Sequence, residues 1–269
     1  MTRSFLSFPC EGNNLQATLD IADGTTGLLI VSGGNELRSG AWAGQSQLAA
    51  RIAAAGYPVL RFDRRGVGDS DGPNAEFRAS APDIAAALTA FRAAMPHLTR
   101  IAAWGNCDAA SALMLSAGAG CDALILSNPW TIEQDDTLET GAEEPAKPDM
   151  PVGALRAHYI QRLTNPAALK RLFSGQVSLS GLFSSVFKLL RPPPPPGSLA
   201  QDMAKGLAQF SGPVAILIAE RDRTAQAFLG AWPKADPRIH HCPPASHSFV
   251  EQEARQWLEA QILTVLKGQ

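Results

Sequence analysis

The sequence predicts an α/β fold in which a mostly parallel central sheet is covered by helices on both faces. Short apolar runs that suit buried strands alternate with alanine-rich segments of helical periodicity. This alternation implies parallel strands, because each connecting helix must cross over a face of the sheet. In such a sheet the active groups gather at the carboxyl ends of the strands.

The first element is a predicted β-hairpin. Two apolar runs, residues 4–8 and 15–21, flank the turn-rich stretch CEGNN and indicate an antiparallel start to the sheet. The elements after it follow from the alternation. The predicted strands are 28–31, 59–62, 100–104, 123–126, 214–219 and 238–242, and the predicted helices are 43–55, 82–95 and a last helix from near Phe249.

The alternation stops at residues 131–212, where acidic, proline-containing sequence precedes segments that suit two or three helices. We interpret 131–212 as a cap inserted into an α/β core formed by 1–130 and 213–269. An apolar helical face at 179–190 packs on the core, lines an apolar substrate pocket, or contacts a membrane or a partner. The five prolines at 192–196 suit a stiff connector to the core.

Composition narrows the class of protein. A chain of 269 residues with 45% apolar residues and a formal net charge of -2 suits one α/β core with an insertion. Since lysine and arginine do not cluster, we expect no nucleic-acid partner. The start of the chain has no apolar signal segment, and no stretch approaches the roughly 18 apolar residues of a membrane span. Four cysteines without close pairing fit reduced thiols, so we expect a cytoplasmic location.

The candidate nucleophile is Cys107. Residues 101–111, IAAWGNCDAAS, suit a strand, a sharp turn and a helix. This is the pattern of the nucleophile elbow G-x-S-x-G, with a thiol in place of the hydroxyl. The turn presents the nucleophile at the end of the strand and requires small flanking residues, which Gly105 and Ala109 supply. Ala109 replaces the usual second glycine, and the fragment alone would also suit a buried structural cysteine.

A thiol nucleophile needs a base, and the base needs an orienting acid. Asp222 follows the strand 214–219, and His247 lies between the last strand and the last helix. The chain order is therefore nucleophile, acid, histidine, as in hydrolases whose nucleophile lies on a nucleophile elbow. A second layout places the acid after the strand that follows the elbow, but Asn128 stands there. The alternatives that we consider less suited are Glu220, His240 and His241.

Acyl transfer also needs hydrogen-bond donors for the developing oxyanion. The backbone N–H groups of Asp108 and Asn35 suit this role, with Gly34 as the alternative to Asn35, because the loop SGGNELRSG follows the third predicted strand. We expect the carboxylate of Asp108 to point outward, because an inward carboxylate would oppose formation of the thiolate. No glycine-rich phosphate motif and no metal-ligand spacing is present, so we expect no cofactor and no metal.

A longer motif supports this interpretation. Residues 61–72, RFDRRGVGDSDG, resemble the D-x-R-G-x-G-x-S stretch of α/β-hydrolases. Together with VSGGNELRSG, WGNCDAA and SHSF, the motif resembles the exosortase A system-associated hydrolases of type 1, which are bacterial α/β-hydrolases found beside exosortase and exopolysaccharide loci. The resemblance covers nearly the whole chain, with the cap as its weakest part. It implies the α/β-hydrolase fold, with 61–72 shaping a wall of the active site without supplying a catalytic group.

These residues predict an acyl hydrolase with a small-molecule acyl substrate. His247, held by Asp222, takes the proton of Cys107, and the thiolate attacks an ester, thioester or activated lactone. An acyltransferase would use the same residues with a different acceptor. A hydrolase-fold protein that only binds a ligand or a partner is the non-enzymatic alternative. The sequence does not indicate the oligomeric state.

Overall fold

The computed structural model describes residues 2–133 and 198–268, whose strands form an eight-stranded sheet. The strands are β1 (Thr2–Cys10), β2 (Asn13–Ile21), β3 (Thr26–Val31), β4 (Val59–Phe62), β5 (Arg100–Asn106), β6 (Ala123–Ser127), β7 (Val214–Ala219) and β8 (Ile239–Cys242). The α-helices of the same ranges are α1 (Gly44–Ala54), α2 (Ala81–Ala94), α3 (Asp108–Leu115), α4 (Ser198–Ala208), α5 (Arg223–Ala231) and α6 (Gln252–Leu266). Short 3₁₀ turns cover Ala41–Ala43, Phe77–Ala79 and Ala117–Gly120.

The strand order across the sheet is β1-β2-β4-β3-β5-β6-β7-β8. β2 pairs antiparallel with both β1 and β4, and every later pair is parallel. The predicted hairpin and the predicted mostly parallel sheet are therefore confirmed. Because β3, β5, β6, β7 and β8 run in one direction, the loops after them lie at the same edge of the sheet.

The sheet has a hydrophobic core on each face. In β3, Leu29 and Val31 face one core, whereas Leu28 and Ile30 face the other, as expected of a strand buried on both sides. α2, α3, α4 and α5 cover the first face, and α1 and α6 cover the second. This double covering holds the strand ends rigidly beneath the loops.

Helix α4 belongs to the first of these helical layers, although it falls within the stretch predicted as the cap. Its residues Leu199, Met203 and Leu207 are buried in the same core as α3. A Cβ atom at Gly206 would lie only 2.2 Å from the carbonyl oxygen of Met114, so the two helices touch at the backbone. The predicted apolar face at 179–190 and the proline run at 192–196 lie outside the described residues. Within those residues, every helix is too short or too polar to cross a membrane.

The last helix begins later than the sequence indicates. α6 starts at Gln252, because Phe249 adopts a left-handed backbone conformation with φ of 51° and cannot continue a helix. The Phe249 ring is buried and stacks on Trp257 with the ring centroids 6.2 Å apart. This contact holds the end of the loop that carries His247.

β5 and α3 approach each other closely at Gly105. A Cβ atom at Gly105 would lie 2.8 Å from the carbonyl carbon of Ala109 and 2.9 Å from the amide nitrogen of Ala110. Both of those are backbone atoms of α3, which cannot move independently of the helix. Glycine is therefore required at position 105 for this packing.

We expect Gly105→Ala to lower the free energy of unfolding by about 1–3 kcal/mol, because the added methyl group overpacks a rigid junction. Urea denaturation of the purified protein measures this change. Gly44→Ala is the matched control, since Gly44 has helical φ and ψ at the start of α1 and no atom near its Cβ position. That control should be neutral or stabilising by up to about 1 kcal/mol. Equal unfolding midpoints for the two variants would contradict the packing argument.

Candidate active site

Cys107 occupies the turn between β5 and α3, and its backbone is strained. Its φ of 63° and ψ of -128° lie outside the regions that L-residues ordinarily adopt. The N–H of Cys107 donates to the carbonyl oxygen of Ser127 at 2.9 Å, and its own carbonyl oxygen accepts from the N–H of Ala110 at 3.1 Å. These bonds hold the strained turn, which is the geometry of a nucleophile elbow.

Cys107 also differs from the other cysteines in its exposure. Cys10, Cys121 and Cys242 are buried free thiols, whereas Cys107 is partly exposed. Burial raises the pKa of Cys10 to about 11, with Asp83 contributing, and burial raises the pKa of Cys121 to about 12. Burial likewise raises the pKa of Cys242. Those three thiols are therefore poorly suited to form thiolates, which are the reactive species.

Asp222 and His247 form a hydrogen-bonded pair. The Nδ1 atom of His247 lies 2.9 Å from Oδ2 of Asp222. The carboxylate is also the N-cap of α5, where it accepts from the N–H groups of Thr224 at 3.2 Å and Ala225 at 3.1 Å. Its side chain is only 7% exposed. Asp222 is thus fixed by its own helix and can hold the imidazole ring in one orientation.

His247 has an unusually high pKa. The hydrogen bond with Asp222, followed by the one with Cys107, raises the pKa of His247 to about 10. Because Nδ1 faces Asp222, Nε2 is the ring nitrogen left for the sulfur of Cys107. A sulfur, an imidazole and a carboxylate from three separate loops therefore stand in hydrogen-bonding order.

The alternative residues lie apart from this group. Nδ1 of His241 lies 3.3 Å from Oε1 of Glu220, and both side chains are nearly half exposed. His240 is exposed on β8. Although Glu220 precedes Asp222 by two residues, its carboxylate pairs with His241 and not with His247.

Two asparagines, Asn106 and Asn128, hold the loop of His247. The sequence drew attention only to Asn128, which stands where another layout places the acid. The buried Asn128 donates through Nδ2 to the carbonyl oxygen of His247 and to Oδ1 of Asn106, both at 3.1 Å. Asn106 donates to the same His247 carbonyl at 3.2 Å, and the N–H of Ala219 donates to Oδ1 of Asn128 at 2.8 Å. The position that could have held an acid therefore ties three loops together. A polar residue directly after a buried strand was the signal for this role.

The candidate oxyanion donors belong to the elbow and to the loop after β3, and both line the cleft beside Cys107. The N–H of Gly34 donates to Oδ1 of Asp108 at 2.7 Å, which brings the loop after β3 against the elbow. Asn35 faces the same cleft, where its side-chain oxygen accepts from Asn74 at 2.7 Å. The contact with the elbow is therefore made by Gly34, which the sequence offered only as the alternative to Asn35.

The carboxylate of Asp108 does not point outward as expected. Its side chain is only 15% exposed and turns toward the loop after β3. Oδ2 lies 4.0 Å from the guanidinium of the buried Arg64. The expectation was wrong because the N–H of Gly34 and the charge of Arg64 offer the carboxylate partners that only the folded chain brings close.

The motif at 61–72 holds the loop that carries Gly34. Asp63 accepts from the N–H of Arg38 at 2.6 Å and from its guanidinium, and the N–H of Asp69 donates to the same carboxylate at 3.2 Å. Arg64 donates to the carbonyl oxygen of Gly34. Through these bonds, the buried side chains of Asp63 and Arg64 in the loop after β4 fix the loop after β3 and keep Gly34 against the elbow.

A polar cleft of about 750 Å³ opens beside Cys107. Among the described residues its lining carries both signs of charge, with Arg64 and Arg78 on one hand and Glu76, Asp108 and Glu133 on the other. Within 2–133 and 198–268, no group of three or more His, Cys, Asp or Glu side chains is arranged to hold a metal ion.

Comparison with known proteins identifies the family of the chain. Residues 28–260 match the model of the alpha/beta hydrolase family. The chain belongs to the alpha/beta hydrolase family. The match spans β3 to α6, including the elbow, Asp222 and His247, and it establishes the fold and the hydrolase class. Curated protein sequences give no match to the chain.

Several solved structures share the fold at low sequence identity. An esterase of Pyrococcus furiosus is 17% identical with a TM-score of 0.60, covering 99% of this chain and 91% of the esterase. An alpha/beta hydrolase of a Penicillium species is 18% identical with a TM-score of 0.62, covering 99% and 98% of the two chains. The thioesterase domain from the curacin biosynthetic pathway is 14% identical with a TM-score of 0.54, covering 98% and 100%.

We expect Asp222→Asn to lower the pKa of His247 from about 10 toward the ordinary value of 6.5, because the hydrogen bond to a carboxylate is the largest cause of the shift. Asparagine remains a good N-cap, so α5 should stay intact. NMR titration of the imidazole ring protons measures the pKa. Glu220→Gln is the control and should leave His247 unchanged, since Glu220 pairs with His241. A pKa that stays near 10 in Asp222→Asn would refute this assignment of the cause.

We expect Asn128→Ala to lower the free energy of unfolding by about 1–3 kcal/mol, because the carbonyl oxygen of His247 and the N–H of Ala219 lose a buried partner. Urea unfolding followed by tryptophan fluorescence measures the loss. Asn13→Ala is the comparison variant, since the hydrogen bond from Asn13 to Glu11 is exposed. A loss no larger than that of Asn13→Ala would speak against the bridging role.

Proposed function

We propose that this protein is an acyl hydrolase in which Cys107 is the nucleophile, His247 the general base and Asp222 the acid that orients the base. The observation that carries the proposal is the ordered contact of Asp222 with His247 and of His247 with Cys107 at a strained elbow. Both flanking groups are held by independent bonds, so the alignment does not depend on the substrate.

Before the first half of the reaction, the thiol proton of Cys107 has passed to Nε2 of His247, whose pKa of about 10 favours the imidazolium at neutral pH. The carboxylate of Asp222 stabilises this cation. The thiolate of Cys107 attacks the carbonyl carbon, a carbon–sulfur bond forms, and the carbonyl electron pair moves to oxygen. When the tetrahedral intermediate collapses, the bond to the leaving group breaks. The leaving alkoxide or thiolate receives the proton from His247, and a thioacyl-enzyme remains.

In the second half, His247 takes a proton from water, and the resulting hydroxide attacks the thioester carbon. The carbon–sulfur bond breaks, the carboxylic acid leaves, and the thiolate of Cys107 is regenerated beside the imidazolium of His247, which keeps the proton taken from water. The N–H groups of Asp108 and Gly34 are the oxyanion donors in both halves, and removal of one such donor typically costs about 10²–10³ in rate.

The chemistry of sulfur favours activated substrates. A thiolate is a strong nucleophile and also a good leaving group. The tetrahedral intermediate formed from an unactivated amide would therefore expel the thiolate more readily than the amine and return to the starting amide. We therefore assign an ester, a thioester or an activated lactone of a small acyl group as the substrate. Structural similarity to an esterase and to a thioesterase domain supports this choice of class.

We further propose that the chain is a member of the exosortase A system-associated subgroup and acts in the cytoplasm. The stretches VSGGNELRSG, RFDRRGVGDSDG, WGNCDAA and SHSF support the subgroup, and four free cysteines support a reducing compartment. The genomic neighbourhood tests the subgroup. A gene that lies away from any exosortase or exopolysaccharide locus would count against it.

Mass spectrometry after exposure to p-nitrophenyl acetate and to a short acyl thioester tests the nucleophile. We expect an acyl adduct on Cys107 and a fall in turnover of about 10³-fold or more in Cys107→Ala, because the covalent route is lost. His247→Ala should lose about 10²–10⁴-fold, the usual contribution of a general base. Cys121→Ala is the matched control and should keep the adduct, since the Cys121 thiol is buried with a pKa of about 12.

The outcomes separate three activities. Turnover with a transient adduct on Cys107 supports the hydrolase. If water does not hydrolyse the adduct but an added alcohol or thiol accepts its acyl group, the protein is an acyltransferase that uses the same residues. Absence of both adduct and turnover at any pH from about 6 to 9 would contradict the enzymatic proposal and leave a ligand-binding protein of hydrolase fold.

A further inference from the structure

The proposed oxyanion hole already contains an anion, which is the carboxylate of Asp108. Oδ1 of Asp108 accepts the N–H of Gly34 at 2.7 Å. That N–H is one of the two donors that the acyl oxygen needs, and the other donor is the backbone N–H of Asp108 itself. The residue that supplies one donor therefore blocks the other with its side chain.

The carboxylate is seated in a site that fits it. A Cβ atom at Gly33 would lie 2.5 Å from Oδ1 of Asp108 and 2.8 Å from the carbonyl oxygen of Asn106. Any side chain at position 33 would therefore displace the carboxylate or the elbow. The space that Gly33 leaves free is filled by Asp108, which makes this contact a packed feature of the cleft.

The charge of Asp108 opposes the proposed reaction. During attack by Cys107, negative charge develops on the acyl oxygen, which must bind the donors that the carboxylate now holds. Two anions close together in a partly buried site repel each other strongly. An acyl oxygen can therefore enter only if the carboxylate gives up the N–H of Gly34.

Arg64 is placed to receive the displaced carboxylate. Its guanidinium is buried, donates to the carbonyl oxygen of Gly34 and lies 4.0 Å from Oδ2 of Asp108. A short rotation of the Asp108 side chain toward Arg64 would exchange a neutral donor for a cationic one. The cleft thus provides two alternative partners for the same carboxylate.

We propose that the Asp108 carboxylate is an internal competitor for the oxyanion hole, which determines specificity by excluding acyl groups that bind too weakly to displace it. This inference rests on the proposed function, because only an acyl-transfer reaction needs the hole. It predicts that small esters such as p-nitrophenyl acetate react slowly with the wild-type thiol and faster once the carboxylate is removed.

Two reagents that attack the same thiol separate the hole from the nucleophile. Iodoacetamide alkylates the thiolate by displacement of iodide, and no oxyanion forms. p-Nitrophenyl acetate acylates the thiolate through a tetrahedral oxyanion. The ratio of the acylation rate constant to the alkylation rate constant for Cys107 therefore reports on the hole, because the amount of thiolate cancels.

We expect this ratio to rise at least about tenfold in Asp108→Ala, which frees the N–H of Gly34. Asp108→Asn should give a smaller rise, because its carboxamide oxygen can still accept that N–H but carries no charge. Asn at this position is nearly isosteric, so Asp108→Asn decides the question if Asp108→Ala does not fold. Asp202→Ala is the control and should leave the ratio unchanged, since Asp202 pairs with Lys205 on the solvent-facing side of α4.

A ratio that stays constant or falls in both Asp108 variants would overturn the inference while leaving the proposed nucleophile intact. The proposed function has its own readout in the same assay, because alkylation of Cys107 should slow in His247→Ala. Alkylation that is indifferent to His247 would overturn the proposed triad, and the inference about Asp108 with it.

Discussion

The close approach of β5 to α3 is the constraint on which the rest of the site depends. The chain reverses at Cys107 with a positive φ, and this strain is compensated by the hydrogen bond to Ser127 and by the contact of Gly105 with the α3 backbone. Ala109 is fully buried at the same junction. Because the turn is packed on both sides, Cys107 is held at the carboxyl end of β5. The loops that carry Asp222 and His247 lie at the same edge of the sheet.

Two carboxylates belong to the candidate site, and their partners give them opposite effects in the proposed reaction. Asp222 is capped into α5 and stabilises a cation on His247, which favours formation of the thiolate. Asp108 holds the N–H of Gly34 and places a negative charge where the reaction needs a donor. In the function that we propose, the site therefore combines an activated nucleophile with an obstructed oxyanion hole. Such a combination suits an enzyme that must remain inactive toward common esters.

The sequence determined much of the fold, because hydrophobic periodicity and turn residues act locally. The alternation of apolar and alanine-rich segments predicted the parallel sheet, and CEGNN predicted the hairpin that the structure has between β1 and β2. The start of α6 was predicted three residues too early, because the left-handed turn at Phe249 is imposed by packing on Trp257. The helical periodicity of this segment does not reveal a positive φ at a residue other than glycine, because L-residues rarely adopt one.

For the candidate site, the sequence by itself determined the chain order of the candidate nucleophile, acid and histidine, since each follows a recognisable strand. Only the tertiary structure decided which way the loop side chains turn. Asp108 faces Gly34 and Arg64, and Asn128 joins the loop of His247 to β7, because these partners are separated by dozens of residues in the chain. Side-chain direction in a loop depends on hydrogen-bond partners that come close only when the chain folds. The periodicity of the sequence does not predict which residues these partners are.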